Sequence, residues 1–389
     1  MNSPSYIISA RRTVFGKTGG LHGKRRLEQL AGPVIEAVCK DAGIETRDVN
    51  SVFVGNTTAG GGNPARLISL ASGIPETTSA YTLDCQCASG LEAIGSAARF
   101  VSSGMADIVL AGAAESPSTA PWRLAKPNSM HQLPVFDSSG PFTLTENGVP
   151  ELVEVGENIA TTYKIDRKRQ DHYTLESHRK AENGYEEHRF NGEIVAIRIE
   201  AGEGRDENLK NALSSDLMPQ IPSYIPETGT VTSANSSALS DGAAFCLVVS
   251  ETVFETLKRP PALRVREYRT KGVNPVEYGI GPISAINEIL ERDPSVKLSD
   301  IDTFEIGEAT AVQSLACIDV LALDEAHVNK DGGALAFGHA LGTGSAALVT
   351  RLFSQMVRQR PDTVGIPTLG LAAVGASGGL GSAMLLEAV

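Results

Sequence analysis

Short apolar runs rich in β-branched residues alternate along the chain with longer stretches in which apolar residues recur at helical spacing. Residues 6–9, 51–54 and 107–111 are of the first kind and predict buried strands. Residues 27–42 and 91–103 are of the second kind and predict helices. This alternation predicts an α/β fold in which helices cover a mainly parallel sheet.

The texture changes between residues 117 and 230. Prolines interrupt the first part of this region, a charged stretch at 167–188 predicts a helix, and a polar run follows. Alternation of strands and helices resumes at residues 244–249. We therefore expect residues 117–230 to form an insertion carried on the core, and such insertions often build substrate sites.

A short internal match hints at duplication. Gly95-Ser-Ala-Ala98 and Gly344-Ser-Ala-Ala347 each lie in a predicted helix that follows a candidate functional segment. If two similar halves each present a helix start at the same face of a sheet, one pocket can receive both segments. Residues 87 and 339 would then meet despite their separation in sequence.

Composition narrows the class of protein. The 389 residues carry a formal net charge of −12, which makes nucleic acid an unfavourable partner. No apolar stretch approaches the roughly 20 residues that span a bilayer. Five cysteines without framework spacing indicate a reducing compartment, and the Cys85–Cys87 pair lacks the further ligands of a structural zinc site. We expect a soluble, cytoplasmic protein without a bound metal.

Two residues carry the candidate chemistry. Cys87 stands just ahead of a helix rich in Ala, Ser and Gly, where free N–H groups and the helix dipole favour the thiolate. His339 stands on a glycine-rich turn, and a cysteine with a histidine suffices for covalent acyl transfer. The alternative is that a cysteine is a small buried hydrophobe, as we expect for Cys39, Cys246 and Cys317. The residues alone leave both interpretations of Cys87 and His339 open.

Six ordered segments resemble motifs of the thiolase family across almost the whole chain. They are residues 7–17, residues 62–75, the nucleophile motif Cys87-Ala-Ser-Gly-Leu91, residues 229–244, Gly338-His339, and Gly378-Gly-Leu-Gly381. The resemblance implies two similar βαβαβαββ halves in a five-layered αβαβα arrangement with an inserted loop domain. Residues 1–116 with 231–255 would form the first half, 117–230 the insertion and 256–389 the second half.

The resemblance also implies roles for particular residues. Cys87 would carry the acyl group, and His339 would activate it. Backbone N–H groups of Cys87 and of the turn at Ser377 and Gly378 would form an oxyanion hole. Ser237 would approach the pantetheine arm of coenzyme A.

Three departures from the family pattern fall at sensitive positions. The family's Asn-Glu-Ala-Phe is Gly307-Glu308-Ala309-Thr310 here, so the asparagine that positions a water is absent. Gly-His-Pro is Gly338-His339-Ala340, and Cys-x-Gly-Gly-Gly is Gly375-Ala-Ser-Gly-Gly379. The cysteine lost at Gly375 is the family's acid/base at the α-carbon. Glu308 is either a structural hydrogen-bonding residue or a replacement base.

More of the catalytic groups are therefore present for the first half-reaction than for the second. The groups for acylating Cys87 are present, whereas the Claisen step lacks two groups, each of which typically contributes a factor of about 10² or more. Our first hypothesis is an acyl-CoA C-acyltransferase of lipid metabolism. Acyl transfer to another acceptor, or acyl-CoA hydrolysis, is the second, and a non-catalytic coenzyme A-binding protein is the third. The resemblance implies acyl-CoA and free CoA as partners, no cofactor, and a homodimer or homotetramer.

Overall fold

The computed structural model describes residues 3–127, 129–137, 151–197, 204–209, 213–359 and 368–389. Within these ranges the strands are β1 Ser5–Thr13, β2 Gly16–Lys17, β3 Ser51–Gly55, β4 Ser79–Leu83, β5 Ile108–Glu115, β6 Arg123–Ala125, β7 Val135–Asp137, β8 Ile194–Val195, β9 Ser240–Ser250, β10 Leu263–Gly272, β11 Thr303–Ile306, β12 Leu369–Ala376 and β13 Leu380–Ala388. The α-helices are α1 Leu27–Ala42, α2 Pro64–Ala71, α3 Ser89–Ser102, α4 Leu152–Tyr163, α5 Arg167–Glu186, α6 Glu251–Thr256, α7 Gly281–Arg292, α8 Ala311–Leu321, α9 Ala334–Phe337 and α10 Leu341–Phe353.

The first of these helices shows how the sequence pattern sets an element. In α1 the apolar residues Leu30, Val34 and Val38 recur every four positions and are fully buried. The helix ends at Gly43, whose φ of 65° is the left-handed conformation that glycine adopts without strain. The observed bounds match the predicted residues 27–42.

The two halves of the chain repeat one pattern. The first half runs β1-α1-β3-α2-β4-α3-β5 and closes with β9. The second runs β10-α7-β11-α8, then α10, β12 and β13, and a single parallel bridge between Phe304 and Val328 stands where β4 stands in the first half. The segment before α3 and the segment before α10 therefore occupy equivalent places, as the short internal match suggested.

Nine strands form a continuous mixed sheet in the order β11-β12-β13-β10-β1-β9-β5-β3-β4. In addition β2 pairs with β9 and β8 pairs with β1, whereas β6 and β7 form a separate two-stranded sheet. Strands β3, β4 and β5 are parallel to one another, and so are β11 and β12. However, β9 is antiparallel to β1 and β5, and β13 is antiparallel to β10 and β12. The prediction of a mainly parallel sheet is therefore wrong, because the last strand of each half runs back beside its neighbours instead of following a crossover helix.

The helices and strands stack in five layers, and three apolar clusters lie between them. The first lies between α1, α2 and one face of the first-half strands. The central cluster holds α3 and α10 between the strands of both halves, and the third lies between the second-half strands and α7 with α8. Each leucine or isoleucine fully buried there contributes about 1.5–3 kcal/mol. The expected five-layered thiolase fold is confirmed.

The inserted region contributes helices that pack on the second half. Both α4 and α5 contact α8, and α5 also contacts α9, which leads to His339. Residues 128, 138–150, 198–203 and 210–212 of the predicted insertion lie outside the described residues. Across the described part of the chain, no helix has the length and apolar character needed to cross a bilayer.

Candidate active site

Cys87 lies in the tight turn that joins β4 to α3. The hydroxyl group of Ser89 accepts a hydrogen bond from the N–H of Cys85 at 2.8 Å and donates one to the carbonyl oxygen of Gln86 at 2.7 Å. Gln86 has a φ of 52°, which residues other than glycine rarely adopt. This constrained turn fixes the sulfur of Cys87 at the N-terminal end of α3.

His339 lies on the segment between α9 and α10, and this segment is fixed by main-chain bonds. The N–H of His339 donates to the carbonyl oxygen of Ala238 at 2.7 Å, and the N–H of Ser240 donates to the carbonyl oxygen of His339 at 3.0 Å. The preceding Gly338 has a φ of 103°, and a β-carbon there would overlap the side chains of Asn208 and Ser240. Only glycine fits this approach.

The two chemical groups meet at the interface of α3 and α10. The sulfur of Cys87 lies 3.1 Å from Nε2 of His339. The helices pack so closely that a β-carbon on Gly90 would overlap the carbonyl oxygen of Gly342, and the N–H of Leu91 donates to Oγ of Ser345 at 3.1 Å. The small residues noted in both helices thus permit the approach that joins residues 87 and 339.

Burial disfavours the charged form of both groups of this pair. It raises the pKa of the Cys87 thiol to about 12, and the nearby carboxylate of Glu115 acts in the same direction. Burial also lowers the pKa of His339 to about 4. Desolvation therefore opposes the thiolate that the helix start favours, and the resting thiolate stays a prediction. Proton transfer from sulfur to Nε2 would create both charges together, 3.1 Å apart, where each stabilises the other.

Backbone donors face the sulfur. The N–H groups of Cys87 and Ser377 both hydrogen-bond towards it and lower the pKa of the thiol. Ser377 and Gly378 form the turn between β12 and β13, and Gly378 has a φ of 88° that favours glycine. Both predicted oxyanion donors therefore lie close to the sulfur, and their role in holding an oxyanion stays a prediction.

Neighbouring atoms occupy the space beside the two glycines that stand where the family has larger side chains. A β-carbon on Gly375 would lie 2.5 Å from the carbonyl oxygen of Tyr278, and one on Gly307 would lie 2.8 Å from Cγ2 of Val374. Real β-carbons do not approach other atoms so closely. Neither position has room for the larger family side chain without a shift of the surrounding structure.

Glu308 is held by four donors. Its Oε1 accepts from the Tyr173 hydroxyl at 2.9 Å and from Nδ2 of Asn329 at 2.7 Å. Its Oε2 accepts from the Ser177 hydroxyl at 3.1 Å and from the N–H of Leu335 at 3.0 Å. Because Leu335 lies in α9, the buried carboxylate ties the segment before His339 to α5. These contacts favour the structural interpretation of Glu308 over that of a replacement base.

Ser237 lies beside the residue that follows Glu308. Its N–H donates a hydrogen bond to the carbonyl oxygen of Ala309 at 3.1 Å, and its hydroxyl donates to the same oxygen at 3.0 Å. Its hydroxyl oxygen can still accept a bond from a ligand.

Cys39, Cys246 and Cys317 are buried as predicted. Among the side chains that the structure describes, no group of three or more His, Cys, Asp or Glu could hold a metal ion.

Sequence reasoning missed two residues that shape the site. Nδ2 of Asn208 donates to Oγ of Ser240 at 2.8 Å and to the carbonyl oxygen of Phe337 at 3.0 Å, which braces the His339 segment. Glu115 ends β5 with its carboxylate buried, and burial raises its pKa to about 7 although Thr57 and Thr58 donate to it. Both residues act through tertiary contacts that leave no local motif.

Family comparisons cover nearly the whole chain. The family model described as the N-terminal domain of thiolase matches residues 5–252, and that of the C-terminal domain matches residues 259–388. YhfS of Bacillus subtilis strain 168, provisionally named an acetyl-CoA C-acetyltransferase, is 36% identical over 383 residues, which cover 98% of each chain.

Solved structures give the same result. The acetyl-CoA acetyltransferase of Bacillus anthracis superposes with a TM-score of 0.91 and 30% identity, covering 100% of this chain and 99% of that one. Human mitochondrial 3-ketoacyl-CoA thiolase in complex with CoA also gives a TM-score of 0.91, with 27% identity over 100% of this chain and 98% of that one.

Proposed function

The chain belongs to the thiolase family, and from that premise we propose that it is an acyl-CoA C-acyltransferase working through an acyl-Cys87 intermediate. The observation that carries the proposal is the 3.1 Å separation between the sulfur of Cys87 and Nε2 of His339. The backbone donors of Cys87 and Ser377 add the means to hold a tetrahedral oxygen. Nucleophile, base and oxyanion donors are the set that covalent acyl transfer requires.

In the first half-reaction the Cys87 thiol passes its proton to Nε2 of His339 while the sulfur attacks the thioester carbon. The oxygen of the tetrahedral intermediate is held by the N–H groups of Cys87 and Ser377. When the intermediate collapses, the bond from carbon to the coenzyme A sulfur breaks, and His339 returns the proton to that sulfur. Free CoA leaves, and the acyl group stays on Cys87. A second thiol reverses these steps and regenerates the enzyme.

Coenzyme A thioesters are the proposed substrates because structural relatives hold the coenzyme. The human mitochondrial 3-ketoacyl-CoA thiolase and an Ascaris suum thiolase were both solved with coenzyme A, and each covers at least 98% of its own length in the superposition. We assign the free acceptor capacity of Ser237 to the pantetheine arm. Its hydroxyl lies on the same loop as Ala238, whose carbonyl oxygen binds the N–H of His339.

A second candidate function is acyl transfer without carbon–carbon chemistry, to another acceptor or to water. It is favoured by the closed space at Gly307 and Gly375, where Val374 and Tyr278 leave no room for the family's two side chains. This alternative shares the acylation of Cys87 with the main proposal. It differs only in the fate of the acyl group.

Mass spectrometry of the intact protein tests the acylation step. After mixing with acetyl-CoA, the wild-type protein should gain one acetyl group, which free CoA then removes. Cys87→Ala should gain none, whereas Cys85→Ala, which removes a partly buried cysteine two residues away, should behave like wild type. An adduct that persists in Cys87→Ala, or no adduct in the wild type, would contradict the proposal.

The fate of the acyl group separates the two candidates. If the enzyme consumes acetoacetyl-CoA and CoA and forms acetyl-CoA, carbon–carbon chemistry occurs. If the acetylated protein discharges to CoA or to water but acetoacetyl-CoA is not consumed, the second candidate is correct.

A further inference from the structure

The main chain before α7 is locked against the turn that faces Cys87. Residues 275–280 form a 3-10 helix in which Tyr278 is 6% exposed. The N–H of Val273 donates to the carbonyl oxygen of Gly379 at 2.7 Å, and a β-carbon on Gly379 would overlap the carbonyl oxygen of Val273. The 2.5 Å approach to Gly375 brings the backbone of Tyr278 against the end of β12. This packing fixes Tyr278 next to the turn of Ser377.

The phenol of Tyr278 belongs to the same site. Its hydroxyl interacts with the side chain of Ser377, whose N–H faces the sulfur of Cys87. It also lies close enough to Cys87 that a thiolate there would disfavour a tyrosinate. The ring otherwise packs among apolar side chains of the third cluster, including Ile283. A proton-carrying hydroxyl thus lies in a buried position against the turn whose N–H faces the nucleophile.

We propose that Tyr278 is the acid/base that moves the proton at the α-carbon of the substrate, in place of the side chain absent at Gly375. This inference rests on the proposed function, since it assigns the proton donor of that same site. Tyr278 fills the space in front of Gly375 with its own backbone and supplies a hydroxyl from the same residue.

The other candidates for this role are engaged elsewhere. Each oxygen of the Glu308 carboxylate accepts two hydrogen bonds from within the chain. The sulfur of Cys317 is fully buried in α8, 3.7 Å from the carbonyl oxygen of Gly279, and burial raises the pKa of its thiol to about 12. His339 already exchanges a proton with Cys87. The Glu115 carboxylate likewise accepts hydrogen bonds from Asn56, Thr57 and Thr58. Tyr278 and Ser377 are left as hydroxyl groups close to the nucleophile, and a phenol is a much stronger acid than the alcohol of a serine.

The step balances in the cleavage direction. The sulfur of Cys87 attacks the 3-keto carbon of a 3-ketoacyl-CoA, and its proton passes to His339. The bond between this carbon and the α-carbon breaks, and its electron pair goes to the enolate of acetyl-CoA. Tyr278 donates its proton to the α-carbon, so acetyl-CoA leaves and a tyrosinate remains. The incoming CoA thiol then gives its proton to Tyr278, and His339 returns its own to the departing sulfur of Cys87.

Tyr278→Phe removes only the hydroxyl and separates the two halves of the reaction. We expect acetylation of Cys87 by acetyl-CoA, followed by rapid-quench mass spectrometry, to stay within about three-fold of wild type. Thiolysis of acetoacetyl-CoA should slow by about 10²–10⁴-fold. Tyr163→Phe is the matched control, because Tyr163 packs at the edge of the same apolar cluster and should leave both rates unchanged.

Each outcome bears on the inference. Thiolysis at the wild-type rate in Tyr278→Phe overturns it, and so does a wild-type enzyme that acetylates Cys87 without cleaving acetoacetyl-CoA, although acyl transfer then survives. If the wild type forms no acyl-Cys87, the proposed function itself fails. Should Tyr278→Phe unfold, a fluorinated tyrosine at position 278 keeps the shape and lowers the phenol pKa. It should then shift the pH profile of thiolysis but not that of acetylation.

Discussion

The carbonyl oxygen of Tyr278 lies 2.5 Å from the point where a β-carbon would stand on Gly375. The atom in the way belongs to the main chain of a 3-10 helix that packs on β12 and β13, so it cannot rotate aside as a side chain would. The position that holds an acid/base cysteine in the family pattern is therefore closed by structure as well as changed in sequence.

Restoring the family residue should thus fail. We expect Gly375→Cys to lower the free energy of unfolding by about 1–3 kcal/mol through overpacking, and not to increase thiolysis of acetoacetyl-CoA. Gly272→Ala is the control, because Gly272 also lies in a strand and its β-carbon meets open space. Thermal or urea unfolding and a thiolysis assay measure the two effects. A stable Gly375→Cys protein with faster thiolysis would contradict this account of the site.

The hydrogen bonds of Asn208 to the segment that holds His339 offer a second test. In Asn208→Ala, the carbonyl oxygen of Phe337 and the hydroxyl of Ser240 lose a buried donor, which should cost about 1–3 kcal/mol of stability. Displacement of His339 should also slow acetylation of Cys87, by up to about 100-fold. The exposed Asn191→Ala should change neither quantity. Wild-type acetylation in a folded Asn208→Ala protein would show that the brace does not position His339.

The pH dependence of acetylation follows from the burial of His339. Because burial lowers the pKa of this imidazole to about 4, it remains a neutral base throughout the range in which an exposed histidine becomes protonated. We expect the rate of acetylation to show no acidic limb near pH 6.5 and to fall only as the pH approaches 4. Rapid-quench measurements between pH 4.5 and 8 would decide this, and a half-maximal rate near pH 6.5 would contradict it.

Buried Glu305 should make stability fall as the pH rises. Burial raises its pKa to about 8 in the folded protein, although Arg351 opposes the shift. A carboxyl group with a raised pKa contributes stability that is complete below its unfolded pKa and is lost as the pH rises through the folded pKa. Glu305→Gln keeps an acceptor for Nε2 of Gln355 and cannot ionise, so its advantage over wild type should grow between about pH 4.5 and 8.

Urea unfolding at pH 5 and pH 8 measures this difference. Glu186→Gln, at an exposed position, is the control and should parallel wild type at both values. If Glu305→Gln also paralleled wild type, Glu305 would not be a neutral group in the folded protein.

The meeting of Cys87 and His339 was predictable because the sequence around each residue carries a recognisable pattern. A helix of small residues follows each of them, and equivalent positions in two similar halves meet at the centre of the fold. The effect of burial on the pKa values of the pair was not predictable in the same way. Burial of the sulfur and the proximity of Glu115 raise the pKa of Cys87, and neither is visible in the segment around residue 87.

The alternatives left open for Glu308 needed tertiary contacts. Its four donors come from residues 173, 177, 329 and 335, which belong to separate segments of the chain. Tyr278 escaped notice for a related reason. It lies in a 3-10 helix whose sequence carries no catalytic motif, and only the packing of that helix on the turn after β12 places its hydroxyl near Cys87.

The most direct test of the central claim is isotope exchange between labelled free CoA and acetyl-CoA with no second acyl acceptor present. Transfer through acyl-Cys87 predicts that the wild-type protein moves the label into acetyl-CoA and that Cys87→Ala abolishes this exchange, while Tyr278→Phe retains it. Exchange that survives in Cys87→Ala, or that is absent from the wild type, would contradict an acyl-enzyme at Cys87.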